Sequence, residues 1–354
     1  MNRIQLLAAL GQSVWLDAID RRLLDTGELA HLIEAGVSGL TTNPSIFEKA
    51  IAGGAAYDAA IAMLAGQPIS DDALLEHLII DDIRRAADLF RPVHERSAGQ
   101  DGYVSIEVSP LLADDATGTI AAARQLFARV DRPNVMVKIP ATRAGLDAIR
   151  TCLAEGIAVN ATLIFSLGRY LEVVDAYRRA LEARVAAGSS PSVASVASIF
   201  VSRVDSAVDA QIEQGLAKMS EGPAKAELAG LLGTAAVANA ACVYAAFRRR
   251  FGEPWFDRLR SVGALPQRPL WASTGVKNSQ YSPLLYCEPL MGPDTVNTLP
   301  PATLANLREL GTVQTRLQDD PAQANATLAA LQAHGIDLGA LNDALEKEGV
   351  ALFA

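Results

Sequence analysis

The chain has 354 residues, half of them hydrophobic, which is enough to fill a large core and too apolar for a disordered protein. Its formal net charge of −9 argues against a nucleic-acid surface, so any anionic ligand must meet local positive groups. The three cysteines, Cys152, Cys242 and Cys287, are far apart with no CxxC pair, which suits a reducing compartment and not a disulfide framework.

In chain order, residues 4–16 carry no charge, but Asp17 ends the run and no persuasive cleavage site follows, so no signal peptide is expected. Residues 14–19 read as the first strand and 26–35 as a helix closed by Gly36. The second strand is 39–43. Asn43-Pro44-Ser45 then opens a helix with Pro44 at an early position, where its missing N–H costs nothing. Residues 57–96 are helical, with a break at Gly66-Gln67-Pro68. Strand three is 103–108, and Asp114-Asp115 starts a helix running to about Val130. The turn Asp131-Arg132-Pro133-Asn134 leads into a fourth strand, Val135 to Pro140, then a helix over 142–155 with Gly156 as its stop. Residues 158–165 and 192–201 are the fifth and sixth strands, with a helix over 166–187 between them. A helical tract over 206–250, strands at 270–275 and 295–299, and a helical remainder complete the chain.

Residues 228–247 form a charge-free run ending at Arg248-Arg249-Arg250. It is mostly alanine and reads as a buried barrel helix, not a membrane span. The protein is therefore expected in the cytoplasm, without membrane or nucleic-acid partners. About eight βα units with no linker between them favour an α/β fold, a single (β/α)8 TIM barrel over residues 1–354. Additional helices and a helical C-terminal extension from about residue 311 would complete it. An open doubly wound sheet is the structural alternative, although no GxGxxG or Walker loop supports a nucleotide site.

Side chains i and i+2 of a strand share a face. On that reading Thr41 and Asn43 lie together, as do Ser105 and Glu107, and Asn160 and Thr162. Asp17, Lys138, Ser198 and Ser273 occupy the other four of seven strands. Barrel interiors are normally apolar, and polar groups near strand C-termini mark the active-site mouth. Lys138 in the run VMVKIP has two readings. It snorkels from an edge strand into water, or it faces a desolvated site, where burial favours the neutral, nucleophilic amine. The others also have plain readings: Asn43 as a helix cap, the serines as packing residues, and Glu107 or Asp17 as a structural ion-pair partner of Lys138. The four histidines show no metal-ligand spacing and read as surface residues, and no GxSxG elbow is present. An amine nucleophile with carboxylates is what remains.

Asp17 in VWLDAI, TTNPSIF from Thr41, SIEV from Ser105, VKIPAT from Val137, NATLIFS from Asn160 and SIFVSRVD from Ser198 fall in the order and spacing of transaldolases. WASTGVKN from Trp271 and GPDTVNTLP from Gly292 continue the series, so the resemblance covers residues 13 to about 310. It is closest to the longer bacterial transaldolases with an extended C-terminal region.

The resemblance implies a barrel without metal or organic cofactor that moves a dihydroxyacetone unit between sugar phosphates through a lysine imine. Lys138 would form the imine and Asp17 would act as general base. Glu107 with Thr162 would hold the water that shuttles protons. Asn43, Asn160 and Ser198 would bind hydroxyls of the three-carbon unit, with Thr41 and Ser105 supporting the pocket. Arg203, Ser273 and Lys277 would take the phosphate. Shorter transaldolases carry Ser-x-Arg where this chain has Ser273-Thr-Gly-Val-Lys277, and Arg143 is a further candidate ligand or a helix-start surface charge. A free-dihydroxyacetone aldolase and a sugar-phosphate-binding barrel without turnover are the competing readings, and monomer and homodimer both stay open.

Overall fold

In the computed structural model, which describes residues 1–66 and 68–353, eight parallel strands close into a barrel in chain order. They are β1 Gln12–Leu16, β2 Gly39–Leu40, β3 Val104–Glu107, β4 Val135–Pro140, β5 Val159–Ile164, β6 Ser195–Phe200, β7 Arg268–Ala272 and β8 Thr295–Leu299. β8 pairs with β1 along its whole length, from Gln12↔Thr295 to Leu16↔Leu299. That pairing makes the fold a (β/α)8 TIM barrel and removes the open-sheet alternative.

Several strands end earlier than the apolar pattern suggests. β1 stops at Leu16, β2 at Leu40 and β7 at Ala272, so Asp17, Thr41, Asn43 and Ser273 lie just past the last ladder residue. Alternation of apolar and polar side chains continues beyond the point where a neighbouring strand remains to be paired. These polar groups consequently sit at the C-terminal rim of the barrel.

The floor is set by a close approach. Ser13, Trp15 and Asp17 share the inner face of β1 by alternation, and a Cβ at Gly39 would lie 2.5 Å from the Trp15 ring. Glycine in β2 therefore lets the fully buried indole fill the interior beneath the site. The indole Nε1 donates to Asp101 at 2.9 Å, and Arg268 bonds the same carboxylate at 3.1 Å. A cavity of about 770 Å3 opens at this N-terminal end. Its arginines are already engaged: Arg268 with Asp101, Arg248 with Asp294 at 2.8 Å and Arg260 with Asp257 at 3.3 Å. In TIM-barrel enzymes this end serves stability and the opposite mouth carries the chemistry, and there a smaller cavity opens.

The expected helical tract over 206–250 is three helices, Ser202–Leu216, Pro223–Ala229 and Ala235–Arg250, divided by Gly222-Pro223 and a turn at Gly230 to Gly233. The last is buried on nearly every side, which explains its alanine-rich composition. Among the described residues no helix is long and apolar enough to cross a membrane. The helix Arg3–Ala9, absent from the sequence reading, is capped by Asn2, whose side chain accepts from the Gln5 N–H at 3.0 Å. Helices Asp58–Ala65 and Asp71–Arg96 flank the expected break, of which Gln67 lies outside the described residues. After β8 come helices Pro301–Leu310, Ala322–Ala333 and Leu338–Phe353.

Candidate active site

The centre of the mouth is a buried ion pair. β3 and β4 run in register with Glu107 beside Lys138, and alternation turns both inward. Lys138 Nζ lies 3.0 Å from Glu107 Oε2 and donates to the Thr42 carbonyl at 3.2 Å. The two side chains are 6% and 2% exposed, so Lys138 does not snorkel into water. Burial raises the Glu107 carboxyl above the ordinary carboxylate range. The charge and hydrogen bond of Lys138 oppose that rise, and the negative charge of Asp17 adds to it.

Asp17 stands across the interior from this pair at the tip of β1. Its Oδ1 accepts from Thr41 Oγ1 at 2.6 Å. Thr41 Oγ1 is also 2.6 Å from Thr298 Oγ1 on β8. A threonine hydroxyl has one proton, so with Thr41 donating to Asp17, Thr298 donates to Thr41. Desolvation raises the Asp17 carboxyl, while the Thr41 bond and the Lys138 charge pull it back down. Two carboxyls raised by burial on either side of Lys138 are suited to hold and move protons.

A second line of polar groups crosses β3, β5 and β6. Ser198 Oγ donates to Asn160 Oδ1 at 2.6 Å, and Asn160 Nδ2 donates to Ser105 Oγ at 3.1 Å, all fully buried. Thr162 Oγ1 and Glu107 Oε1 are buried with no protein partner, which is unusual for interior oxygen atoms. The β5–β6 pairing shifts register between Ala161 and Ile164, and Leu163 next to Thr162 has φ +59. This irregularity lies at the strand end that carries Asn160 and Thr162.

Above these groups a cavity of about 280 Å3 opens to solvent, walled by Asp17, Thr41, Asn43, Lys138, Ser198, Arg203 and Ser273 among others. Asn43 also caps helix Pro44–Ala52, its Oδ1 accepting from the Ile46 N–H at 2.9 Å, so its capping reading holds alongside its place in the wall. Arg203 is in the first turn of helix Ser202–Leu216, with its guanidinium 5.5 Å from the Phe200 ring centroid. Desolvation lowers the Arg203 pKa, and Glu348 opposes that shift. Ser273 adopts φ +56, and its Oγ is 3.0 Å from Ser202 Oγ.

A family model described as transaldolase/fructose-6-phosphate aldolase matches residues 14–354. The chain belongs to this transaldolase family. Proteins named transaldolase from Thiobacillus denitrificans and Mycolicibacterium smegmatis are each 47% identical to it, covering 100% and 98% of the chain and 97% and 92% of their own lengths. Transaldolase 1 of Streptomyces coelicolor is 47% identical over 99% of the chain and 91% of its own length.

In this transaldolase-family barrel the site residues read from sequence do not all occupy the same layer. Asp17, Thr41, Asn43, Lys138, Ser198, Arg203 and Ser273 wall the cavity, and Ser105, Glu107, Asn160 and Thr162 lie on the buried inner faces beneath or beside it. Lys277 is not part of the wall. It is an exposed residue in the loop after β7, with its ammonium lowered by desolvation and then by the Arg203 charge. Arg143 is exposed at the start of helix Arg143–Glu155.

Sequence reasoning missed Thr298, Lys49 and Phe200, which line the cavity. Thr298 sits two positions after inward-facing Val296, so the period of β8 carried the signal. Lys49 follows from no strand pattern. His94 differs from its surface reading: it is half-buried with its ring edge-on to Tyr103, and burial lowers its pKa. Among the described residues no three His, Cys, Asp or Glu side chains converge as metal ligands.

Proposed function

We propose that the protein is a transaldolase of the non-oxidative pentose phosphate pathway, acting through an imine on Lys138. It would move a dihydroxyacetone unit from fructose 6-phosphate or sedoheptulose 7-phosphate to glyceraldehyde 3-phosphate or erythrose 4-phosphate. The observation that carries the reading is a buried primary amine held between two desolvated carboxyls at the mouth of the barrel.

Lys138 passes a proton to Glu107, 3.0 Å away, and the freed amine adds to the C2 carbonyl of the ketose and gives a carbinolamine. Loss of its hydroxyl as water, with a proton delivered from the Glu107 side, yields the iminium. Glu107 Oε1 and Thr162 Oγ1, both without a protein partner, are suited to hold the water that carries this proton. Asp17 then takes the proton of the C4 hydroxyl. The C3–C4 bond breaks, its electron pair moves to the iminium as an enamine, and the shortened aldose departs.

Attack of the enamine C3 on the acceptor aldehyde reverses these steps, with Asp17 returning its proton to the new alkoxide. Hydrolysis of the iminium frees the longer ketose and Lys138. Asn160 and Ser198 would bond the hydroxyls of the bound three-carbon unit, and Arg203 would receive the phosphate as a two-pronged donor.

Borohydride reduction in the presence of fructose 6-phosphate, followed by peptide mass mapping, tests the imine. The expected result is a three-carbon adduct on Lys138. An adduct on another lysine, or none, would remove the mechanism. Release of free dihydroxyacetone without an acceptor, at the rate of transfer, would turn the reading to an aldolase.

A further inference from the structure

The inner face of β8 changes character towards its C-terminal end. Val296 is the apolar residue expected of a barrel interior, whereas Thr298, two positions on and equally buried, brings a hydroxyl. β1 and β8 pair in parallel, with Trp15 opposite Thr298 and Leu16 opposite Leu299. One more bond follows, from the Asp17 N–H to the Leu299 carbonyl at 2.9 Å, so β8 holds the main chain of Asp17. The Thr298 carbonyl accepts from Thr274 Oγ1 at 2.8 Å, which ties this end of β8 to the loop after β7.

The same strand reaches the Asp17 side chain. Thr298 Oγ1 is 2.6 Å from Thr41 Oγ1, which is itself 2.6 Å from Asp17 Oδ1. Both threonines are buried, so bulk water competes little for either hydroxyl. With Thr298 donating to it, the Thr41 hydroxyl is held with its one proton on Asp17 Oδ1. A carboxylate oxygen already accepting such a bond is the poorer place for a second proton. The other oxygen, Asp17 Oδ2, makes no hydrogen bond among the described residues, and Asp17 walls the cavity.

We infer that Thr298 is a positioning residue for carbon–carbon cleavage: by donating to Thr41 it locks the Thr41 proton onto Asp17 Oδ1, so that Oδ2 is the oxygen that exchanges a proton with the C4 hydroxyl. In cleavage the O–H bond at C4 breaks and its proton bonds to Oδ2. The electron pair left on that oxygen forms the carbonyl of the departing aldose, and the C3–C4 pair passes to the iminium. Condensation returns the proton from Oδ2 to the new alkoxide. The chain of two hydroxyls also steadies the ionised carboxylate against the desolvation that raises it. The inference rests on the proposed base role of Asp17.

The test uses full-length enzyme with Thr298→Val, which keeps the branched shape and removes the donor, and Thr298→Ser, which keeps the donor and removes a methyl. The pH profile of kcat/KM for transfer is measured, together with the rate of borohydride trapping on Lys138. The charged groups facing Asp17 are Lys138 and Glu107 across the interior, with Arg203 and Lys49 in the same wall. β2 and β8 carry no titratable side chain, and neither substitution alters any of these groups. In Thr298→Val the acid limb should move up by about half a pH unit or more, and kcat should fall roughly two- to tenfold, the range of one net hydrogen bond. Trapping should keep its wild-type rate, and Thr298→Ser should restore both the limb and kcat. An unmoved acid limb in Thr298→Val, the same loss in Thr298→Ser, or a fall in trapping that matches the fall in kcat would overturn the inference.

Repeating the measurement in an Asp17→Ala background separates the two levels. Asp17→Ala alone should cut kcat, and adding Thr298→Val should cost nothing more. If the second substitution lowers the residual rate further, Thr298 acts elsewhere and the inference falls while the base role stands. If Asp17→Ala turns over at the wild-type rate, the base role of Asp17 falls, and the inference with it.

Discussion

Replacing Lys138 with methionine removes the ammonium and leaves Glu107 facing an apolar side chain. Glu107 is 2% exposed, and its Oε1 already has no protein partner. Stripping one partner from a buried ion pair costs about 3–5 kcal/mol when the remaining charge stays. The carboxyl has a way out, since it can take up a proton. Holding a group of ordinary pKa about 4.3 protonated costs about 1.36 kcal/mol for each pH unit above that value. The ceiling is therefore ~1 kcal/mol at pH 5 and ~4.4 kcal/mol at pH 7.5.

The sign follows from linkage. A carboxyl raised in the folded state binds more protons there than in the unfolded chain, so stability falls as pH rises through and above the ordinary value. Burial already raises Glu107 in the wild type, with Lys138 opposing it, so removing Lys138 steepens that fall. Equilibrium urea unfolding of both proteins at pH 5 and pH 7.5 measures it. The stability gap should widen by up to ~3.4 kcal/mol between the two pH values. A gap that is constant or narrows with pH would refute the claim that Lys138 is the group opposing the burial of Glu107.

Further outcomes follow from the same geometry. Asp17→Ala should still give a borohydride adduct on Lys138, now carrying the uncleaved six-carbon sugar phosphate, while kcat drops by about 10²–10⁴, the usual contribution of a positioned general base. In the wild type the acid limb of kcat/KM should lie above the ordinary carboxylate range, because Asp17 must be ionised to act and its pKa is raised by desolvation. A limb near pH 4 would contradict that assignment. Gly39→Ala places a methyl 2.5 Å from the Trp15 ring and should cost about 1–3 kcal/mol of stability, read from urea denaturation. An unchanged midpoint would mean that the indole does not fill the floor as described.

The fold was legible because a parallel barrel buries each strand on both sides. Runs such as VMVKIP and VNATLI stand out against amphipathic helices, and their number is close to eight. The same alternation exposed Lys138, Glu107, Asn160 and Ser198 as polar residues where apolar ones belong. Strand ends were less legible, because a ladder stops when its neighbour turns away, and residues 17, 41 and 273 cannot report where another strand ends. Thr298 was overlooked for a different reason: the period of β8 turns it inward, but threonine is an ordinary strand residue, and its 2.6 Å approach to Thr41 and its place in the cavity wall come only with the barrel.

Local pattern thus determined which side chains point inward and in what order, since that depends on a two-residue period carried by the chain itself. Closure decided the rest. β8 meeting β1 brings Thr298 to Thr41 and sets Asp17 opposite the Lys138 pair, and the C-terminal helix returning over β5 rests Gly349 against Leu163, 186 positions before it in sequence. Such meetings are set by the twist and register of the whole sheet and by how helices pack on its rim. No stretch of sequence contains them.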